Sequence, residues 1–319
     1  MLGVADLLGV EPIQDLWSGC GQIAKLRWAG EPGHAVMKHV KMPAAMDHPR
    51  GWNTDRSMQR KARSYEVEAR WYLQWSERCP AGCRVPRCLG HAAWGDERLL
   101  LLEDVDASGY PRRVTRATNA ELDACVRWLA AFHGAFLSER PSAPPEGLWA
   151  KGTYWHLDTR PDEWARMPEG ALKEAATPID QALAASPFQT VVHGDAKLAN
   201  FCFADDLKPP GGGVAAVDFQ YVGGGCGMKD LAYLVGGCLD SEACFGQEDR
   251  VLTLYFEQLG SELDRRGVSL DRAALEADWR RLYPYAWADF QRFLVGWSPG
   301  HWKISGYSEH MTRQALAAL

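Results

Sequence analysis

The sequence predicts an α+β protein with two lobes: a small, mostly antiparallel β lobe with one long helix, then a larger, mainly helical lobe. Before residue 42, three short apolar runs are separated by turns that contain glycine. From residue 117 onward, apolar residues recur at helical spacing over most of the chain. We expect residues 1–104 to form the first lobe and residues 105–319 the second, joined by a polar, Gly- and Pro-containing linker at 106–111.

The composition is that of an ordinary globular protein, with 319 residues, 46% of them hydrophobic and 24% charged. A net charge of −6 without a basic stripe argues against nucleic acid as the main partner. The first residues lack a basic stretch and no apolar run approaches about 18 residues, so we expect neither a signal peptide nor a membrane span. Nine cysteines, an odd count, favour reduced thiols and a cytoplasmic location. The sequence does not indicate an oligomeric state.

Three strands are expected at residues 13–17, 22–28 and 35–40. The turn between the first two contains Gly19 and Gly21, which lack a Cβ and therefore allow backbone N–H groups to approach a phosphate. A plain β-turn is the alternative.

Lys38 lies in the third strand, on the face that Val36 and Val40 share by period-2 alternation. An ammonium among apolar neighbours needs a partner, which a phosphate or a glutamate would supply. The alternative is an exposed edge position for Lys38, with Lys25 or Lys41 in its place.

One long helix is expected from about residue 56 to residue 77. Glu66 and Glu68 flank its apolar stripe at equal angles, so periodicity does not choose which of them reaches Lys38. The stripe itself consists of residues at helical spacing, namely Met58, Ala62, Tyr65, Ala69, Tyr72 and Leu73.

A buried strand at residues 98–105 ends in the polar linker, and a helix follows at 117–137. His133 lies on the apolar face of that helix and is expected to be a hydrogen-bonded core residue. The tail, residues 247–319, is expected to be helical with loops at 267 and 297–306.

The segments 191–200 and 214–219 predict a loop that leads into a hairpin. Asn200 and Asp218 are equally far from Pro209, in a cluster of turn-forming residues, so antiparallel pairing would place them across from each other. Asp195 and Lys197 would then lie one loop away. An amide oxygen and a carboxylate suit Mg²⁺, and the second carboxylate can receive a hydroxyl proton.

The pattern His193-Gly194-Asp195-x-Lys197-x-x-Asn200, followed by Asp218-Phe219, resembles the catalytic loop and metal-binding aspartate of the protein-kinase-like superfamily. Gly after the His, and Asp-Phe-Gln after the hairpin, resemble its small-molecule branch. That branch contains aminoglycoside phosphotransferases, choline kinases and ecdysteroid-kinase-like proteins. The resemblance implies a protein-kinase-like two-lobed fold, with ATP and Mg²⁺ as cofactors.

The resemblance also implies roles for individual residues. Asp195 would be catalytic, with Lys197 near the transferring phosphate, and Asn200 and Asp218 would hold magnesium. The nucleotide would be bound by Gly19, Gly21, Lys38, Glu68 and backbone groups at Glu103 to Val105, where Glu68 is chosen over Glu66 by the family pattern Glu-x-x-aromatic-Tyr. Asp230 would either hold the catalytic loop or cap a helix.

The function implied is the transfer of the γ-phosphoryl group of ATP to a hydroxyl group of a small molecule. The substrate is expected between the aromatic residues of 149–164 and the segment 279–302. It could be a metabolite, an amino alcohol held in a cage of Trp149, Trp155, Trp279 and Trp287, a lipophilic alcohol or an antibiotic. Two other functions remain: an inactive nucleotide-binding regulator, and a hydrolase or metalloenzyme using His and Cys residues. Cys79, Cys83 and Cys88 lie close together, but their spacing is not that of paired zinc ligands, so we expect buried or incidental thiols there.

Overall fold

The structure is a computed structural model, which describes residues 7–16, 19–31, 33–42, 55–141, 143–207 and 213–319. Trp17 and Ser18 of the glycine turn lie outside these ranges, and so do residues 208–212 of the expected hairpin turn.

The first lobe is built on a five-stranded antiparallel sheet with the strand order β1-β2-β3-β5-β4. Every neighbouring pair in this order is antiparallel, as the sequence predicts. Its strands are β1 (Leu7–Asp15), β2 (Gly21–Trp28), β3 (His34–Lys41), β4 (Cys88–Trp94) and β5 (Glu97–Leu102).

Two strands differ from the sequence prediction. β1 begins at Leu7 rather than at residue 13, because register shifts beside Gly9 and Pro12 accommodate residues that read as breaks in a strand. It is an edge strand whose Leu8 and Val10 are exposed, so burial leaves no alternating pattern in its sequence. β4 was not predicted, because its residues are mostly half-buried and include few strong β-formers.

The long helix is present as α1 (Asp55–Gln74), followed by a 3₁₀ turn at Ser76–Arg78. Its buried face includes Tyr65, Trp71 and Tyr72. The Trp71 ring stacks on the ring of Phe219 with centroids 4.6 Å apart, so α1 joins the sheet lobe to the segment that carries Asp218.

The second lobe is mainly helical, as the sequence predicts. Its first helix, α2 (Asn119–Phe136), begins at a capping box in which Thr118 and Glu121 each bond the other's backbone N–H. The remaining helices are α3 (Pro161–Ala165), α4 (Ala171–Glu174), α5 (Ala176–Ala184), α6 (Met228–Cys238), α7 (Ser241–Arg265), α8 (Arg272–Trp297) and α9 (Gly306–Ala317).

Short strands frame the predicted catalytic loop. β7 (Phe188–Val192) lies between β6 (Ser138–Glu139) and β10 (Gly223–Gly225), and the loop follows it. β8 (Phe201–Phe203) and β9 (Val214–Ala216) then form the predicted hairpin.

The register of this hairpin differs by one residue from the expected one. Phe201 pairs with Ala216, and the Val217 N–H donates to the carbonyl of Asn200, so Asn200 faces Val217 rather than Asp218. Equal distances from Pro209 predicted the wrong partner because the centre of a hairpin is set by the geometry of its turn, not by its most turn-like residue.

His133 is a core residue, as predicted. It is fully buried, and its ring nitrogens are hydrogen-bonded to the Tyr255 hydroxyl at 2.7 Å and to the Asp230 carboxylate at 3.1 Å. This side chain therefore joins α2, α6 and α7. Within the described residues, none of the helices combines the length and the apolarity that crossing a membrane requires.

Candidate active site

A single cleft of about 1000 Å³ contains the predicted site residues on both lobes. It is lined by Lys38 and Glu68 of the first lobe, and by Asp195, Lys197, Asn200 and Asp218 of the second. Glu103 and Val105 also line it, at the end of β5. The cleft thus collects residues that are far apart in the sequence.

Lys38 is buried in β3, and its ammonium lies 2.7 Å from a carboxylate oxygen of Glu68 on α1. Glu66, the alternative partner, faces the other way and pairs with Arg98 at 2.9 Å. Burial alone would lower the pKa of Lys38, but the carboxylates of Glu68 and Asp218 outweigh it and raise the pKa, so the lysine is charged. Glu68 is therefore the partner that the structure selects.

The predicted catalytic loop, between β7 and β8, is held by Asp230 in the first turn of α6. Its two carboxylate oxygens accept the backbone N–H groups of His193, at 2.5 Å, and of Gly194, at 2.9 Å. Asp230 is not the N-cap of α6, a position that Gly227 occupies. Two backbone donors of a buried loop are thus satisfied by one side chain.

His193 braces the loop from inside. It is fully buried, its Nε2 lies 3.1 Å from the carbonyl of Val217, and its Nδ1 accepts the backbone N–H of Asp195 at 3.2 Å. Burial lowers the pKa of His193, so the ring is neutral near pH 7, with Nε2 as its donor. These bonds tie the loop to the end of β9.

Asp195 is buried, and three side chains approach its carboxylate. Oδ2 accepts from the Lys197 ammonium at 2.8 Å and from the Asn200 amide at 3.1 Å, and Oδ1 accepts from the Tyr233 hydroxyl at 3.3 Å. Burial tends to lower the pKa of Lys197, but Asp195 and Asp218 raise it. Asp195 is thus fixed in orientation while it still lines the cleft.

Asp218 has φ = 68°, in the left-handed region that non-glycine residues rarely occupy. Its Oδ1 lies 3.5 Å from the Lys38 ammonium and accepts from the Gln220 amide at 2.8 Å. Burial would raise the pKa of Asp218, but Lys38, Lys197 and Lys61 outweigh it and hold the pKa at about 2. The carboxylate is therefore ionised at neutral pH.

The oxygen atoms needed by Mg²⁺ are present and open. The Asn200 amide nitrogen is used by Asp195, which leaves its carbonyl oxygen as the free atom. In the part of the chain that the structure describes, neither that oxygen nor Oδ2 of Asp218 accepts a hydrogen bond. An amide oxygen and an ionised carboxylate that line the same cleft are a donor set that fits magnesium.

The other predicted nucleotide contacts are less directly placed. The Glu103 carboxylate pairs with Arg84 at 2.5 Å, and its backbone N–H donates to Arg87, so its carbonyl is the backbone group that remains for a ligand. Gly19 and Gly21 have φ of 70° and 123°, as a tight turn requires. The cleft lining near them comes from β1 and β2, and the roles of both glycines stay predictions.

The proposed tryptophan cage is wrong. Trp155, Trp279 and Trp287 are buried in the core, and Trp149 donates its indole N–H to the carbonyl of Gln220 rather than lining the cleft. The two expected segments do contribute to the cleft, but through other residues. Those residues are Tyr154, Arg160, Phe290, Phe293, Trp297 and His301.

Several lining residues carried no signal in the sequence. Arg60 and Lys61 precede the glutamate of α1 by two helical turns, and their position on a helix of mixed polarity looks like a solvated face. Tyr233 looks like an ordinary core residue of α6, and Lys303 lies one residue beyond the expected segment. Only the tertiary fold brings these side chains to the cleft that contains Asp195.

A zinc-type site is not supported. All nine cysteines are free thiols, and Cys79, Cys83 and Cys88 are not among the residues that group as metal ligands. In the described residues such a group does exist at His156, Asp158 and Asp180, but the Lys151 ammonium lies 2.7 Å from Asp180 and 3.4 Å from Asp158. These residues form an ion-pair network around a lysine.

An antiparallel sheet lobe, a helical lobe and the residues in the cleft between them define a small-molecule phosphotransferase with the protein-kinase-like fold. Residues 27–285 match the family model of the phosphotransferase enzyme family (APH). The chain belongs to this family. A comparison with curated proteins found no match.

Several solved structures are similar to this chain at low sequence identity. One is the GDP complex of aminoglycoside 2'-phosphotransferase-IIIa, 11% identical, with 98% of this chain and 94% of that chain covered and a TM-score of 0.50. Another is a microcompartment-associated aminopropanol kinase, 14% identical, with 97% and 90% covered and a TM-score of 0.45. A third, aminoglycoside phosphotransferase APH(3'')-Id from Streptomyces rimosus, is 20% identical, with 86% and 93% covered and a TM-score of 0.40.

Proposed function

We propose that this protein transfers the γ-phosphoryl group of ATP to a hydroxyl group of a small molecule, in the presence of Mg²⁺. The observation that carries the proposal is the convergence of two clusters in one cleft. The Lys38–Glu68 ion pair approaches from the sheet lobe, and Asp195, Asn200 and Asp218 approach from the helical lobe. Phosphoryl transfer needs positioning and charge stabilisation, which such a cluster supplies.

The sheet lobe would bind the nucleotide. Lys38, oriented by Glu68, presents an ammonium to the inner phosphates, while the turn with Gly19 and Gly21 covers them. Backbone groups from Glu103 to Val105 would meet the adenine ring at the end of β5. The GDP complex of aminoglycoside 2'-phosphotransferase-IIIa supports the binding of a nucleotide.

Asp195 would orient the acceptor hydroxyl and accept its proton. The acceptor oxygen then forms its bond to the γ-phosphorus, the bond from that phosphorus to the bridging oxygen breaks, and ADP leaves. Lys197, whose ammonium is 2.8 Å from Asp195, would stabilise charge on the transferring group. Bound through Asn200 and Asp218, magnesium would neutralise phosphate charge. Nine free thiols are compatible with a reducing cytoplasm as the place of this reaction.

The test is an ADP-release assay against a pooled set of alcohols, with the wild type and Asp195→Asn. We expect at least one pool to release ADP with the wild type, and a loss of kcat of about a thousandfold or more in the variant, with nucleotide affinity almost unchanged. Asp249→Asn, the same change at an exposed position on α7, is the matched control and should keep full activity.

Two outcomes would count against the proposal. Unchanged turnover in Asp195→Asn would remove that residue from its role. Magnesium-dependent nucleotide binding without transfer to any acceptor would favour a regulator that has the fold but not the activity.

A further inference from the structure

The acceptor side of the cleft combines cationic and aromatic side chains. We call it the acceptor wall and define it as Arg60, Tyr154, Arg160, Tyr233, Phe293 and Lys303, all of which line the cleft. Among the acids that line the cleft, Asp195 touches this wall, through the Tyr233 hydroxyl. Among the described cleft residues, the remaining acids belong to β1, α1, the end of β5 and the linker, or are Asp218 at the candidate metal site.

The members of the wall touch one another. The Tyr154 ring packs edge-on against the rings of Tyr233 and Phe293, with centroids 5.7 Å and 5.4 Å apart. The Arg160 guanidinium lies 5.2 Å from the Phe293 ring centroid, and its charge is balanced by Glu163 at 3.0 Å. Arg60 instead donates to the carbonyl of Thr159 and has no ion pair with a described carboxylate. The three rings, Arg160 and Lys303 therefore form one continuous surface, and the wall carries excess positive charge.

Lys303 is the cation of this wall with the weakest compensation. Its ammonium lies 4.1 Å from the ring centroid of Tyr233 and 5.5 Å from the ring centroids of Phe290 and Trp302. Within the described residues it has neither an ion pair nor a hydrogen-bond acceptor. Ring faces stabilise an ammonium less than a carboxylate does in a partly dry site, so its three N–H donors remain available to a ligand.

The position of Lys303 relative to Asp195 is fixed by one side chain. The Tyr233 hydroxyl donates to Asp195 at 3.3 Å, while the face of the same ring carries the Lys303 ammonium. Asp195 and the ammonium of Lys303 are therefore close enough for one small molecule to reach both. Its hydroxyl group would lie at Asp195 and its other end at the free cation. Polycationic acceptors would meet repulsion from Lys303 and Arg60 on the same surface.

We propose, on the basis of the function proposed above, that the acceptor is an alcohol that carries a carboxylate. Its hydroxyl group is oriented by Asp195, its carboxylate is bound by the ammonium of Lys303, and its carbon skeleton lies against the rings of Tyr154 and Phe293. Lys303 is then the residue that selects the charge of the substrate.

Six matched benzyl alcohols test this. They carry a carboxylate, a carboxamide or an aminomethyl group, each in the meta and in the para position. Their dissociation constants are measured by calorimetry with a non-hydrolysable ATP analogue and magnesium. We expect the better carboxylate isomer to bind at least tenfold more tightly than its neutral and cationic counterparts. In Lys303→Met the tenfold preference for the carboxylate should disappear, with only the affinity for the carboxylate reduced. Lys303→Arg should keep this preference.

Lys41→Met is the charge-matched control, because Lys41 is exposed on β3 outside the cleft, and it should leave all six dissociation constants unchanged. A wild type that binds the carboxylates no better than the amides or amines would overturn the inference. So would an unaltered carboxylate affinity in Lys303→Met.

An ADP-release assay with the same six compounds separates the two proposals, because transfer only to neutral or cationic alcohols rejects this inference and keeps the kinase function. Absence of transfer to every compound counts against the kinase function, while the binding order still decides the charge preference.

The pH profile gives a readout that a purely structural lysine would not move. Burial, reinforced by Lys197, lowers the pKa of Lys303 to about 8, against the opposing effects of Asp195 and Cys238. The affinity for the carboxylate should be constant below that pH and fall about tenfold per pH unit above it, because the ammonium loses its proton and the resulting amine carries no charge. Lys303→Arg should show no such fall, and a flat wild-type profile up to pH 10 would contradict the role. The titratable or charged groups that face Lys303 are Asp195, Lys197, Tyr233, Cys238 and His301.

Discussion

At the scale of single residues, the buried charges of the cleft are paired with opposite charges, because an unpaired buried charge would destabilise the fold. Lys38 and Glu68 are both almost fully buried, and each compensates the charge of the other. Asp218 lies on the other side of the same ammonium, at 3.5 Å. A triphosphate with magnesium would enter beside these three charges, so the strength of nucleotide binding depends on the orientation of Lys38.

We expect Glu68→Gln to raise the KM for ATP at least tenfold and to lower the free energy of unfolding by about 3 kcal/mol, because Lys38 loses its ionic partner in a buried site. Glu66→Gln is the matched control on the same helix. It breaks partly exposed pairs with Arg63 and Arg98, which are worth about 0–1 kcal/mol. Steady-state kinetics and urea unfolding measure both, and equal effects of the two variants would contradict the assignment of Glu68.

At the scale of elements, the loop between β7 and β8 is shaped by backbone constraints. Gly194 has φ = 80°, and a Cβ added there would lie 2.1 Å from the carbonyl oxygen of Tyr221 and 2.7 Å from the backbone nitrogen of Thr153. Both neighbours are backbone atoms, which cannot move aside like the end of a side chain. A glycine at this position lets the loop pack closely enough for Asp230 to bond it.

Gly194→Ala should therefore lower the free energy of unfolding by more than about 2 kcal/mol and should also reduce activity, because Asp195 follows directly. Gly246→Ala should act in the opposite direction. Gly246 lies within α7 with no atom within 4 Å of the added Cβ, and alanine there favours the helix by about 0.5–1 kcal/mol. Urea unfolding of the two variants gives the comparison. An unchanged free energy of unfolding in Gly194→Ala would contradict this, because it would show that the loop accommodates a Cβ despite the short distances to backbone atoms.

At the scale of the whole molecule, the two lobes are joined by contacts that also form the cleft. The Lys38–Asp218 contact crosses from β3 to the segment after β9, and Trp71 of α1 stacks on Phe219. Lys61 reaches Gln220 across the same boundary at 2.9 Å. A ligand that binds Lys38 and Asp218 together should consequently stabilise the whole chain against unfolding.

We expect a magnesium–nucleotide complex at a hundred times its dissociation constant to raise the free energy of unfolding by about 2.7 kcal/mol. In Asp218→Asn the part of this increase that needs magnesium should disappear, because a ligand oxygen and its charge are lost. Thermal unfolding with nucleotide, in magnesium and in EDTA, measures that part directly. Asp249→Asn should behave like the wild type, and a magnesium effect that survives in Asp218→Asn would reject the metal assignment.

The sequence by itself determined the lobes and the central motif, because both depend on local signals. Period-2 and helical spacing predicted the sheet around Lys38 and the helices after residue 117, and the Asp195–Asn200 and Asp218 pattern lies within one short segment. In the sheet of the first lobe, the strands that the sequence missed or misplaced were those whose burial is not periodic. β1 and β4 are the outer strands of the sheet, and their residues are largely exposed or half-buried.

Only the tertiary structure decided the choices that depend on distance across the fold. It selected Glu68 over Glu66, placed Asn200 opposite Val217, and buried three of the four tryptophans that the sequence offered as a cage. It also brought Lys303 onto the ring of Tyr233, which in turn donates to Asp195. Periodicity gives the face on which a side chain lies but not which distant side chain meets it, since that partner depends on how separate elements pack together.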